Sequence, residues 1–140
     1  MSAIRHVDVT MDRLDAQALE RLADDHRAGA LVTFSGNVRD HDHGKHVLGL
    51  EYEGHPNAAD ILRLVAEEIV AEFPVYGLTV AHRIGSLEIG EAALVACVST
   101  AHRGEAFAAL EALVNRTKER LPVWKHQRFA DGTDEWVNCA

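Results

Sequence analysis

The spacing of apolar and polar positions predicts nine elements in the order βαββαββαβ. Ile4 to Val9 predicts a short strand, and Leu14, Ala18 and Leu22 recur every four residues, as in a helix that ends before Gly29. Ala30 to Val38 is apolar and β-branched enough for a strand. Arg39 to Lys45 is polar and carries a glycine, so it predicts a loop, and Val47 to Tyr52 predicts another strand. A helix opens at Pro56-Asn57, with Asn57 as its cap and Asp60 at the third helical position, as in a capping box. Its apolar stripe is Ala58, Ile61, Leu62, Val65, Ile69 and Phe73, and Pro74 and Gly77 end it. Leu78 to Ile84 predicts a strand and Gly85 to Gly90 a short connection. Ala92 to Ala101 is nearly unbroken in its apolar character, which predicts a central strand covered on both faces. Gly104 to Arg120 predicts a helix stopped by Pro122, and Val123 to Arg128 a last strand. Asp131-Gly132 predicts a turn leading to Trp136. The pattern implies an α+β domain with three main helices and a mixed or mostly antiparallel sheet.

The chain length of 140 residues fits one domain, spanning 1–140. With 47% hydrophobic and 26% charged residues, disordered, collagenous and low-complexity classes are excluded. No apolar run approaches the ~20 residues of a membrane span. The start of the chain lacks the apolar core of a signal peptide, so the cytoplasm is the expected compartment. Cys97 and Cys139 show no ligand spacing. Cys97 is expected to be buried packing and Cys139 an exposed thiol.

Charge changes the picture more than composition does. The formal net charge is −8, which disfavours nucleic acid as a partner. Residues 101–128, however, hold six basic side chains against three acidic ones, a local balance of +3 that leaves −11 for the rest. A cationic patch on an acidic protein suits a small anion or an anionic partner tail; the alternative is a solvated helix face. On a helical wheel Phe107, Leu110, Val114, Thr117 and Leu121 form one stripe, expected to face the core, with Arg103 within it and Lys118 at its edge. Such cations are either paired or used. Lys118 and Lys125 flank the turn at Pro122, where their ammonium groups can converge. Two close ammonium groups favour a neutral, nucleophilic amine in one of them. The alternative is a pair of exposed lysines at a helix end. His41, His43 and His46 have the residue types of a metal site without its spacing, and a polar loop is the simpler reading. No glycine-rich phosphate loop, GxSxG or HExxH occurs.

Five blocks in register resemble one family, the large (catalytic) subunit of molybdopterin synthase. They are Gly29-Ala-Leu-Val-Thr-Phe-Ser-Gly-Asn-Val-Arg39, Leu50-Glu-Tyr-Glu53, His82-Arg-Ile-Gly-Ser-Leu-Glu-Ile-Gly-Glu91, Ser99-Thr-Ala-His-Arg103 with Ala106-Phe107, and Lys118-Glu-Arg-Leu-Pro-Val-Trp-Lys125. The resemblance implies an α/β hammerhead-type fold and a homodimer. It implies a heterotetramer with two small ubiquitin-like sulfur carriers, each inserting a C-terminal Gly-Gly tail, ending as a thiocarboxylate, into a pocket. Two sulfurs then pass to a cyclic pyranopterin phosphate, precursor Z, with no cofactor or metal of the subunit's own. Carried over by position, Lys118 and Lys125 are the catalytic candidates. Asn37, Val38, Arg39, His102, Arg103, His126 and Gln127 join them in binding substrate, and Phe34 belongs to the pocket wall. Departures from the family pattern are His55-Pro56-Asn57, the Gln at 127 where Glu is common, and the His-rich 41–46 segment, expected to be mobile without ligand.

Two other classes of function stand beside this expectation. One is a non-catalytic module that keeps the anion pocket. The other is a metal-dependent enzyme built on His41, His43 and His46.

Overall fold

The computed structural model describes residues 2–138; Cys139 lies outside them. Twelve elements follow one another: β1 (Ile4–Thr10), α1 (Ala16–Ala23), β2 (Ala30–Asn37), β3 (His41–Asp42), β4 (Lys45–Gly54), α2 (Ala58–Glu72), β5 (Val75–Arg83), β6 (Gly85–Leu87), β7 (Ala92–Thr100), α3 (Arg103–Arg120), β8 (Val123–Phe129) and β9 (Asp134–Asn138). The strands divide into two sheets rather than one. The first has the order β1-β5-β7-β2, with β1–β5 parallel and the other pairs antiparallel. The second has the order β3-β4-β8-β9, with β6 also on β4, and is antiparallel throughout.

The expected central strand is β7, paired on both sides and buried almost end to end. Successive side chains in a strand point to opposite faces. On one face Ala81, Val95 and Cys97 meet Leu19 and Ala23 of α1. On the other, Leu78, Val80, Leu94, Ala96 and Val98 meet α2 and α3. Thr79 and Ser99 are buried polar residues on the α1 face, and their hydroxyls donate to the Leu19 and Ala23 carbonyls at 2.9 and 2.6 Å. Ser99 satisfies the Ala23 carbonyl, which the end of α1 leaves without a helical partner, while Thr79 adds a second bond to the Leu19 carbonyl. Burial raises the Cys97 thiol above its ordinary pKa, so it is a packing residue, as expected.

Several local expectations are corrected. The polar 39–45 segment is not a plain loop: β3 and β4 form a tight hairpin through His43 and Gly44, at φ 51° and 74°. Two consecutive positive φ values give the turn whose twist matches a two-residue hairpin. Asn57 makes no side-chain cap bond to α2; its Oδ1 lies 2.7 Å from Nδ1 of His55 instead. The stripe expected on α3 is rotated. The buried positions are Ala106, Ala109, Leu110, Leu113, Val114 and Thr117, while Phe107 is 59% exposed. Small Ala106 and Ala109 let the helix lie close to the sheet, which turns Phe107 outward. Lys118 and Arg103 are exposed and not on the buried face. No helix among the described residues is long and apolar enough to cross a membrane.

The approach of α1 to the sheet sets a sharp steric limit. A Cβ at Gly77 of β5 would lie 2.1 Å from the Ala23 carbonyl oxygen. Gly77→Ala is therefore expected to destabilise the fold by about 2 kcal/mol or more, read by chemical denaturation. An unchanged denaturation midpoint would mean that α1 is not seated there.

Candidate functional site

A cavity of about 250 Å³ opens where the two sheets meet, lined by Gly36, Asn37, Arg39, Tyr52, Ala93, Leu94, Lys118 and Lys125. A smaller recess adjoins it and adds Val38, His41, Asp42, Leu50 and Gln127. The walls come from elements far apart in sequence. Strand β2 ends in Asn37, and the chain then turns so that Val38 donates its N–H to the Glu91 carbonyl at 2.9 Å and accepts from the Gly90 N–H at 2.8 Å. The Glu91 carboxylate in turn holds Arg83 at 2.8 Å and Arg13 at 3.0 Å, and accepts from the Glu88 N–H at 2.8 Å. The His82-to-Glu91 block is thus a clamp that fixes Val38 and delivers Arg39 to the rim. The opposite wall is the β4–β8 ladder, where Tyr52 pairs with Lys125 and Leu50 with Gln127. Lys118 stands in the last turn of α3, just before Leu121 and Pro122 carry the chain into β8.

Of the residues singled out in the sequence, Asn37, Arg39, Lys118 and Lys125 line one cavity, and Val38 and Gln127 line its recess. The others lie elsewhere in the chain. His126 points to the opposite face of β8, stacks on Trp136 with ring centroids 4.4 Å apart, and has its Nε2 2.6 Å from Asp134. His102 and Arg103 begin α3, while Lys118 is fifteen residues further on, about 22 Å along the axis at 1.5 Å per residue. One copy of the chain does not bring the pair to this cavity. Phe34 lines a separate, apolar groove with Phe107, Leu110 and Val114, its ring lying over Gly36.

Arg39, Lys118 and Lys125 make the cavity a site for an anion, and Asp42 is the one acidic side chain in its recess. The basic run of residues 101–128 is thinned elsewhere by pairing. Arg116 and Arg120 grip Glu68 and Glu72 of α2, and Arg128 meets Glu51 at 2.9 Å. Metal ligation by His41, His43 and His46 is not what the hairpin assembles. His41 lies 2.7 Å from Asp40. Only His43 joins a group with converging donor atoms, together with Asp42 and Glu135 within 4.8 Å. Those oxygens already face Arg39, Gln127 and the His43 ring, and no metal is assigned to them.

Two further residues, quoted in the sequence only within larger blocks, belong to the cavity and to the layer behind it. Tyr52 lines both parts of it. His82, fully buried on β5, meets the Tyr52 ring edge-on at 4.9 Å between centroids. Its Nδ1 lies 2.8 Å from the Arg83 carbonyl, and the buried Nε2 has no hydrogen-bond partner among the described residues. Burial pushes its pKa down to about 4, and the nearby Lys118 charge pushes the same way.

The profile of the family described as MoaE protein matches residues 9–120. A molybdopterin synthase catalytic subunit from Nostoc sp. is 35% identical over 132 residues, covering 93% of this chain and 80% of that protein. Among solved structures, molybdopterin synthase from Staphylococcus aureus superposes with a TM-score of 0.87 at 30% identity, covering 94% of this chain and 96% of that one. A complex of subunits 1 and 2 of molybdopterin-converting factor from Helicobacter pylori shares the fold, with a TM-score of 0.69 at 20% identity over 98% of this chain and 90% of that one.

The buried neutral His82 predicts a specific acid response. An unfolded histidine takes up its proton near pH 6.5, whereas the folded one waits until about pH 4. Stability is therefore full above about pH 6.5 and falls as pH drops toward 4, by about 3 kcal/mol in all. The carboxylates of Asp25, Glu91 and Asp131, held low by their partners, begin to add their own loss from about pH 5 downward, so the histidine contribution stands alone only above that. Denaturation midpoints measured between pH 7 and pH 4 are expected to fall steeply in the wild type and less in His82→Phe. Equal slopes would place the acid sensitivity elsewhere.

Proposed function

The chain belongs to the MoaE protein family, and from that premise we propose how its cavity works as the catalytic subunit of a molybdopterin synthase. The reaction moves sulfur from the C-terminal thiocarboxylate of a small carrier protein to a cyclic pyranopterin phosphate, building the dithiolene of molybdopterin. The observation that carries the assignment of the site is the convergence of Arg39, Lys118 and Lys125 on one cavity of about 250 Å³. Both reactants are anions. Arg39 at the rim suits the substrate phosphate, which a planar guanidinium holds through two N–H groups at once. Lys118 and Lys125, facing the cavity from α3 and β8, suit the carrier's thiocarboxylate.

In each transfer the carrier sulfur attacks the pterin side chain. A carbon–sulfur bond forms there as the carbon–oxygen bond at that carbon breaks. Water then attacks the acyl carbon, the acyl–sulfur bond breaks leaving the sulfur on the pterin, and the carrier leaves as an ordinary carboxylate whose new oxygen comes from that water. Negative charge develops on oxygen as the acyl carbon is attacked, and fixed cations in a partly enclosed site stabilise it. Lys118 lies beside the thiocarboxylate in this reading, and Lys125 holds substrate or moves a proton. Asn37 and the backbone at Val38 shape the floor.

The partners follow the same logic. A carrier subunit inserts its tail into the cavity of each copy, and the expected assembly is a homodimer with two carriers, in the cytoplasm. A second copy answers the position of His102 and Arg103: placed at the far end of α3, they serve the partner's cavity rather than their own. The apolar groove at Phe34 and Phe107 offers a surface beside that cavity for assembly.

Conversion of precursor Z by the purified chain with a thiocarboxylated carrier tests this reading. Lys118→Ala and Lys125→Ala are each expected to lower transfer by about a hundredfold or more, while carrier binding persists. Full transfer by both variants would remove the site assignment. A wild type that binds carrier but makes no product would favour a non-catalytic module.

A further inference from the structure

We propose that Asp42, held from behind by Gln127, is a positioning residue that aims Arg39 into the cavity. The inference rests on the reading of Arg39 as the phosphate-binding residue. Arg39 follows the last residue of β2 and its side chain is 69% exposed, so little packing fixes it. Its ion pair is with Asp42, Nη2 to Oδ1 at 3.3 Å. Asp42 is itself anchored, since Oδ1 accepts from the His43 backbone N–H at 3.0 Å and Oδ2 accepts from the Gln127 amide at 2.8 Å.

Gln127 is 3% exposed. The same amide nitrogen donates to Glu135 Oε1 at 2.8 Å, one hydrogen to each carboxylate. A neutral amide thus bridges two acidic groups that would otherwise repel, and three strands and the segment after β2 are tied into one chain of contacts: Glu135 of β9, Gln127 of β8, Asp42 of β3, then Arg39. The charged and titratable groups around it are His43, whose Nε2 lies 3.4 Å from Glu135 and 3.7 Å from Asp42, together with Arg39 and Lys125. The Gln127 bond, with His43 and Lys125, holds the Asp42 carboxyl below its ordinary pKa.

An arginine has five N–H donors, so Asp42 can occupy one while the others meet a phosphate. An ion pair this exposed adds little to stability. Its effect is to limit where the guanidinium can be before the substrate arrives, which lowers the ordering cost of binding.

The test is sulfur-transfer kinetics of the full chain with thiocarboxylated carrier and precursor Z, between about pH 6 and pH 8.5. Asp42→Asn keeps the shape and loses the charge. It is expected to raise KM for the pterin about tenfold, with kcat within about twofold and the melting temperature unchanged. Gln127→Glu puts a third carboxyl between Asp42 and Glu135. At about pH 8 it is ionised, the bridge is gone and KM rises. Its neighbours raise its pKa, so as pH falls toward about 6 it gains a proton, donates again and returns KM toward the wild-type value. The KM ratio of variant to wild type is therefore expected to shrink with falling pH. An unchanged KM in Asp42→Asn would overturn the proposal, as would a KM rise matched by a lower melting temperature. A Gln127→Glu ratio that is flat or grows toward acid pH would overturn it as well. A wild type that transfers no sulfur would instead overturn the reading of Arg39 on which this one stands.

Discussion

The ladder between β4 and β8 is the constraint on which the cavity depends. Its register sets Tyr52 across from Lys125 and Leu50 across from Gln127. Because side chains alternate, it also sends His126 to the other face, although His126 is the neighbour of both. A slip of one residue would exchange the two sets completely. The ladder is held at its ends by ordinary means: Val47, Val123 and Phe129 are buried, and the backbone N–H of His55 donates to Pro122 at 2.9 Å. Register in this sheet is therefore a functional variable as well as a structural one.

Much of the first sheet was legible in the sequence, because β7 and α2 have long, unambiguous patterns that burial then reproduces. The division into two sheets was not, since strand periodicity carries no information about which strand pairs with which. The β3–β4 hairpin was hidden for a different reason. Its residues are polar, and only the His43-Gly44 dipeptide hints at a turn requiring positive φ. On α3 the wheel placed the buried stripe too near Phe107, because it weighted bulk and overlooked Ala106 and Ala109, which make the contact.

The candidate site was legible in part, for reasons that can be stated residue by residue. Lys118 and Lys125 were visible as cations flanking the Pro122 turn within the basic run, Arg39 was carried by the family resemblance alone, and the three converge. Arg103 lay near Lys118 in angle but not in height along the helix, which a wheel discards. Asp42 had no signal in isolation: its meaning comes from Gln127, eighty-five residues away. The pairing of Arg116 and Arg120 with Glu68 and Glu72 explains why a helix so rich in base presents so few of its charges to the cavity.

His82 shows where this fold gives up stability. A buried acceptor without a donor costs about 1–3 kcal/mol, and the strand would bear an apolar side chain at that position with no such loss. The cost falls on the layer directly behind Tyr52, while the surrounding β5 and β7 positions are filled without defect. For an engineer seeking a hardier scaffold, β5 at this level is the first place to look. The proximity of that position to Tyr52 and Lys118 makes it also the place where added rigidity would reach the chemistry soonest.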